Sequence, residues 1–159
     1  MTLKFSIEEL SNQNRTKLGR EIDITLFRLI RFMDLERYLG RGAHGVIYDC
    51  GRELGHAVNP KTVEDVVKFC EKYKIGRVEI VNKEPLQIRV YECISCSGLP
   101  EVGETLCWFE GGFIAGCLEK ILNKKVRAKE THCAGLGDDF CQFEIKILQF
   151  NDTFSSHLL

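Results

Sequence analysis

Apolar residues recur at helical spacing in four stretches of the chain and alternate with polar residues in four others. "TLFRLIRFMDLERYLG", from Thr25 to Gly40, sets apolar residues between Arg, Asp and Glu, as expected for an amphipathic helix covering the core or a partner subunit. "AHGVIYDCGRELGHAV" puts Val46, Ile47, Cys50, Leu54 and Val58 on one predicted helical stripe. Gly45, Gly51 and Gly55 interrupt it, each costing about 1 kcal/mol relative to Ala. With Gly42 just ahead, they point to close backbone approach by a neighbouring element or a ligand.

"NPKTVEDVVKFCEKYKIG" gives a clearer helix, capped by Thr62, with Glu64 and Asp65 in its first turn and Gly76 to end it. Val63, Val66, Val67, Cys70 and Tyr73 form its inner stripe. "GRVEIV" and "LQIRVYEC", joined through "NKEP", predict a β-hairpin. "ETLCWFEGGFIAGCLEKIL" is apolar nearly all round, which suits a buried helix, and Gly112 and Gly116 share one face of it. "KVRAKETHC" and "DFCQFEIKIL" complete the pattern as two antiparallel strands around a glycine-bearing loop. The expected fold is α+β, with helices packed on one face of a four-stranded antiparallel sheet. No internal repeat or linker interrupts it.

With 159 residues, the chain fits one domain. A net charge of −1 gives no general attraction to nucleic acid or an anionic membrane. No apolar run approaches the ~20 residues of a membrane span, and "MTLKFSIEEL" lacks the apolar run of a signal peptide. These features predict a cytoplasmic protein. In that compartment its eight cysteines would remain thiols rather than form structural disulfides. Cys50, Cys70 and Cys117 fall within apolar periodicities and are expected in the core.

The other five, Cys93, Cys96, Cys107, Cys133 and Cys141, crowd into the C-terminal half. Zinc takes four ligands in a tetrahedron, thiolate and imidazole foremost and carboxylate at times. Cys133 and Cys141 bracket the loop of "KETHCAGLGDDFCQF", Cys107 opens the buried helix, and Glu130 precedes Cys133 by three residues. Strict strand alternation would put Glu130 and His132 on one face and Cys133 on the other, so such a site needs a bulge or the strand's end between them. The alternative is a tight turn that happens to carry thiols. Cys93 and Cys96 form a CxxC that fits an all-cysteine metal site, a labile disulfide or two plain thiols. His44, His56 and His157 do not cluster, and no nucleophile–base set, phosphate loop or paired-carboxylate arrangement stands out.

"CWFEGGFIAG", "VRAKETHCAGLGDDFC" and Phe143, with "GRELG" and "GRVEIV" upstream, resemble the 4-vinyl reductase domain family over Gly42 to Ile147. The resemblance divides the chain into an N-terminal extension (1–41), the domain (42–148) and a tail (149–159). The family includes a protein tied to bacteriochlorophyll synthesis and the sensor domains of phenol-responsive activators. It shares its fold more distantly with haem nitric-oxide sensors and TRAPP transport-particle subunits. The resemblance implies a structural zinc on Cys107, Glu130, Cys133 and Cys141, a closed site with no position left for water activation. It also implies a homodimer, with the Thr25–Gly40 segment and the glycine-bearing helical faces as contacts.

The function that follows is binding or sensing of a small apolar or aromatic molecule. Ile47, Leu54, His56, Trp108, Phe109 and Phe113 are the candidate pocket lining. Reduction of a tetrapyrrole vinyl group is a second reading, though the chain shows no dinucleotide fingerprint, and a scaffold or assembly subunit is a third.

Overall fold

The computed structural model describes residues 4–12, 15–18, 21–32 and 38–148. Residues 33–37 of the N-terminal amphipathic stretch, and the tail from 149 onward with His157, lie outside the described residues. Among those described, five helices and four strands follow in the order α1 (Ile7–Ser11), α2 (Ile24–Arg31), α3 (Ala43–Val58), α4 (Val63–Lys72), β1 (Arg77–Lys83), β2 (Leu86–Tyr91), α5 (Trp108–Leu122), β3 (Val126–His132) and β4 (Cys141–Ile147). The sheet is antiparallel throughout, in the order β1-β2-β4-β3. The α+β architecture expected from the sequence is therefore present.

Local signals set most of these boundaries. Thr62 accepts from the Asp65 N–H while the Asp65 carboxylate accepts from Thr62 N, a reciprocal capping box that starts α4. Asn59 and Asn123 end α3 and α5 in the left-handed conformation. Val78 on β1, Ile88 and Val90 on β2, Val126 and Ala128 on β3, and Phe143 and Ile145 on β4 are buried, which is the period-two pattern of a sheet with one face on the core. α5 is buried continuously from Glu110 to Glu119. It contacts β3 on one side and α3 on the other.

The α3–α5 contact is made of backbone. A Cβ at Gly51 would sit 2.0 Å from the Phe109 carbonyl oxygen, and one at Gly55 would sit 2.5 Å from that of Phe113. Reciprocally, a Cβ at Gly112 would meet the Tyr48 carbonyl oxygen at 1.9 Å and one at Gly116 that of Arg52 at 2.2 Å. The close approach predicted for these glycines occurs, and each helix is the other's partner. Their glycine faces are consequently not available as contacts with a second copy. Gly45 is no part of the seam, having nothing within 4 Å of its Cβ position.

The inner stripe of α3 is rotated from the one expected. Val46 is 48% exposed and Cys50 is exposed, so Cys50 is not a core residue. The buried positions are Ala43, Gly51 and Gly55, with Tyr48, Leu54 and Val58 packed beside them. Cys70 and Cys117 are buried as expected, and burial pushes both thiols up, Cys70 to about 12.

Phe113 lies in this core, stacked on Phe69 with ring centroids 5.6 Å apart. Phe113→Ala is expected to cost about 3–5 kcal/mol of stability, read by denaturant unfolding, because the seam glycines on either side cannot move in to fill the cavity.

Candidate metal centre and adjoining cleft

Five cysteines converge where the end of β2, the start of α5 and the β3–β4 loop meet. Cys93, Cys96, Cys107, Cys133 and Cys141 are all at most 3% exposed, and all are free thiols. Cys107 is the N-cap residue of α5. Cys141 opens β4, and Cys133 follows the last residue of β3. The alternation difficulty is resolved by an irregularity in β3. Glu130 pairs with Phe143, but His132 pairs with Gln142, so the register shifts between Glu130 and His132. His132 thereby joins Gln142, whose side chain accepts from Arg89, and stacks on Phe140, leaving Cys133 to turn inward. The 3₁₀ turn Ala134–Leu136 carries the chain onward, and the Asp138 carboxylate accepts from Cys133 N at 3.0 Å.

Two sets of four donors result, each with its ligand atoms within 4.8 Å of one another: Cys107, Glu130, Cys133 and Cys141, and Cys93, Cys96, Cys107 and Cys141. Four sulfurs held about 2.3 Å from one ion at tetrahedral angles would lie about 3.8 Å apart. The Cys107 sulfur is 3.9 Å from that of Cys133, 3.5 Å from that of Cys141 and 3.7 Å from that of Cys93, while Cys96 and Cys141 are 3.2 Å apart. Glu130 accepts from Cys107 N through Oε2 at 2.9 Å, while its Oε1 is buried without a hydrogen-bond partner. An orphaned carboxylate oxygen beside three thiols is the arrangement a cation would complete. The buried cluster can hold a metal ion.

The electrostatics agree. Burial, with the neighbouring Cys133, lifts the Glu130 carboxyl to about 9. Hydrogen bonding with Cys107 lowers Cys96 to about 4 and Cys133 to about 6, while Cys107 itself is driven far up by sharing a proton with those thiolates. The cluster therefore keeps part of its protons at neutral pH. A divalent ion entering it must displace them, so its affinity rises with pH.

Around the cluster lie groups that periodicity does not reveal. Arg28 of α2 donates to the carbonyls of Ile94 (2.9 Å) and Ser97 (2.7 Å), and Arg31 donates to that of Leu106 (3.2 Å). Ser95 donates to the buried Glu110, which stands 3.8 Å from the Arg31 guanidinium. The N-terminal helix thus fastens the CxxC segment from outside, a target its Arg–apolar alternation does not name.

A cleft of about 480 Å³ adjoins Cys107 and Glu130, walled by His44, Tyr48, Trp108 and Arg127. His44 stacks on Trp108 with centroids 4.6 Å apart, and the Trp108 Nε1 donor is buried without a partner. The Tyr48 hydroxyl accepts from Ala128 N and so ties α3 to the open edge of β3. Of the predicted lining residues, Trp108 borders this cleft. Leu54 borders a different groove, beside Phe69 and Tyr73. His56 pairs with Glu119 at 2.7 Å, joining the ends of α3 and α5. Ile47 and Phe109 are half-buried along the helices, outside the lining of this cleft, and Phe113 is in the core. Nothing in the sequence marks His44 and Tyr48 as lining, since each, taken alone, is an ordinary polar residue on an amphipathic helix.

The family model for the 4-vinyl reductase domain matches residues 86–147. The uncharacterized protein MJ1642 of Methanocaldococcus jannaschii is 48% identical over 132 residues, covering 83% of this chain and 82% of its own. MJ0716 of the same organism is 85% identical over 86 residues, covering 54% and 90%. A crystal structure of a vinyl-4-reductase family protein from M. jannaschii is similar with a TM-score of 0.68 at 25% identity, over 84% of this chain and 86% of that one. The phenol-responsive sensory domain of the transcription activator PoxR, solved with phenol, gives 0.64 at 15% identity over 84% and 79%. Trafficking protein particle complex subunit 3 from Naegleria fowleri, covalently bound to palmitic acid, gives 0.56 at 15% over 79% and 95%. At 15% identity the last two likenesses show the fold alone.

Proposed function

Since this chain belongs to the 4-vinyl reductase domain family, we propose that it is a small-molecule binding or sensing domain whose pocket wall is fixed by a structural zinc ion. The observation that carries this reading is adjacency. Cys107 and Glu130, two of the four ligands in the zinc set with Cys133 and Cys141, also line the cleft beside Trp108. Zinc would supply rigidity there, since four protein donors close its coordination. The cleft falls within the usual volume range of ligand pockets, roughly 300–1,000 Å³. Its stacked His44–Trp108 pair offers a flat apolar wall to an aromatic ring, and the orphaned Nε1 of Trp108 offers a donor to a hydroxyl or carbonyl. The free thiols suit a reducing, cytoplasmic setting. No described helix is long and apolar enough to cross a membrane.

Phenol is the first probe to apply, by calorimetric titration of the zinc-loaded protein. Trp108→Ala is expected to weaken its binding about tenfold or more, while leaving the melting temperature within a few degrees, because the indole borders the cleft rather than the sealed core. Loss of melting temperature with unchanged affinity would make Trp108 ordinary packing. Mass spectrometry of small molecules released from the purified protein tests the same reading without presuming the ligand. If neither phenol nor any co-purifying molecule is bound, the binding role is wrong.

The reading includes a homodimer. On α2, Leu26, Leu29 and Ile30 are 50%, 66% and 63% exposed at i, i+3, i+4 spacing, while Arg28 and Arg31 bind the cysteine segment. A second copy laid on that apolar face would bury it. Sedimentation at tens of micromolar is expected to show twice the 18.2 kDa chain mass. A single monomeric species would exclude the dimer.

A further inference from the structure

The two donor sets share two members, Cys107 and Cys141, and differ in the other two. We propose that the cluster is a binuclear site. Cys107 and Cys141 bridge two divalent thiophilic ions, one completed by Cys93 and Cys96, the other by Cys133 and Glu130. The proposal rests on the metal reading above and extends it to the CxxC segment, which a single ion on the Glu130 set leaves without a task.

Three observations carry it. The first is distance. Two sulfurs bridging a pair of ions close a four-membered ring, and compressing the S–metal–S angle to about 100° at bonds of about 2.3 Å brings them to about 3.5 Å. Cys107 and Cys141 stand 3.5 Å apart, whereas Cys107 lies 3.7 Å from Cys93 on one side and 3.9 Å from Cys133 on the other. The shared pair is the closer one, as a bridge requires.

The second is the construction of the Cys93–Cys96 segment. Its C-x₂-C spacing is that of a metal knuckle. Its backbone closes on itself, with Ser97 N donating to Cys93 O at 3.0 Å and Leu99 N to Cys96 O at 2.9 Å. Both thiols point into the cluster, Cys96 3.2 Å from Cys141. Cys70 and Cys117, equally buried, show what plain core thiols look like here, since neither belongs to a donor set.

The third is access and charge. The Cys93–Cys96–Cys141 side opens on its own cleft of about 240 Å³, lined by the carboxylates of Glu101, Asp138 and Asp139. The Cys107–Glu130 side faces the Trp108 cleft. Each ion therefore has its own approach, one of them bordered by anions that attract cations. Two divalent ions against five thiolates and one carboxylate leave the assembly anionic, and the guanidinium groups of Arg28 and Arg31 stand over the adjoining segment.

The test is titration of metal-free full-length protein with Co²⁺ and, separately, ¹¹³Cd²⁺. Thiolate-to-cobalt absorption is expected to rise until about two equivalents per chain are bound. The paramagnetic signal of the first ion should collapse as the second couples to it through the shared sulfurs. Cadmium should give two resonances, one for an all-sulfur site and one for a sulfur–oxygen site. The Cys93→Ser, Cys96→Ser double variant should keep about one ion, with only the sulfur–oxygen resonance. If it fails to fold, the wild-type spectra decide alone. Saturation at one ion with a single resonance overturns the binuclear site while leaving the single zinc in place. Uptake of no metal overturns both.

Discussion

Gly112→Ala will strip the protein of a large part of its stability. The new methyl would be placed 1.9 Å from the Tyr48 carbonyl oxygen and 2.7 Å from its carbon, so backbone rather than a yielding side chain stands in the way. Relief requires α3 to retreat from α5 by more than an ångström. That movement would also loosen the neighbouring contacts at Gly51, Gly55 and Gly116. Overpacking costs typically 1–3 kcal/mol and more where backbone must move. The opposing gain in helix propensity is only about 1 kcal/mol. The clash wins, and a fall of roughly 10 °C in melting temperature follows from the usual scaling of about 2–4 °C per kcal/mol at this chain length. Gly45→Ala is the control. Nothing lies within 4 Å of its Cβ position, so the same chemical change in the same helix pair should be neutral or stabilise by up to about 1 kcal/mol. Equal effects at the two positions would refute the backbone seam.

That contrast also marks what can be read from the sequence. α4 and the two hairpins are legible because capping residues and alternation announce themselves locally. The buried α5 is legible because it is apolar all round. The orientation of α3 is not: its inner face runs through Gly51 and Gly55, which carry no hydrophobic signal, while the apolar stripe passes through Val46 and Cys50, both exposed. Glycines spaced to suggest close approach cannot say to what. At the metal centre, residue types and the family resemblance bring Cys107, Glu130, Cys133 and Cys141 together. The register shift beyond Glu130 that turns Cys133 inward depends on pairing with Gln142 and Phe143, which is a tertiary fact. The roles of Arg28, Arg31 and Ser95 are hidden for the same reason, each acting on a segment more than sixty residues away or on a buried acid in another element.

Removing the metal is expected to do still more damage than breaking the glycine seam. Cys141→Ser is the sharpest way to do it, because Cys141 belongs to both donor sets and is fully buried. The cluster ties the end of β2, the N-terminus of α5 and the β3–β4 loop together at one point, supported by the hydrogen bonds from Cys107 N to Glu130 and from Val102 N to Gly135 O at 2.8 Å. Binding of structural zinc is worth about 10–16 kcal/mol in small zinc domains that lack any other core. Here the α3–α5 core persists without it, so only part of that free energy appears as lost stability. A drop in melting temperature of more than about 10 °C is the expected result, with metal content falling from at least about one equivalent to under about a tenth. Chelation of the wild-type protein should reproduce the drop, and adding Zn²⁺ back should reverse it. Cys70→Ser serves as the comparison, a buried cysteine outside both donor sets, which should lose some stability but no metal. Folded wild-type protein, purified without added zinc, that carries less than about a tenth of an equivalent of any metal would refute the metal centre. The five converged thiols would then be packing residues alone.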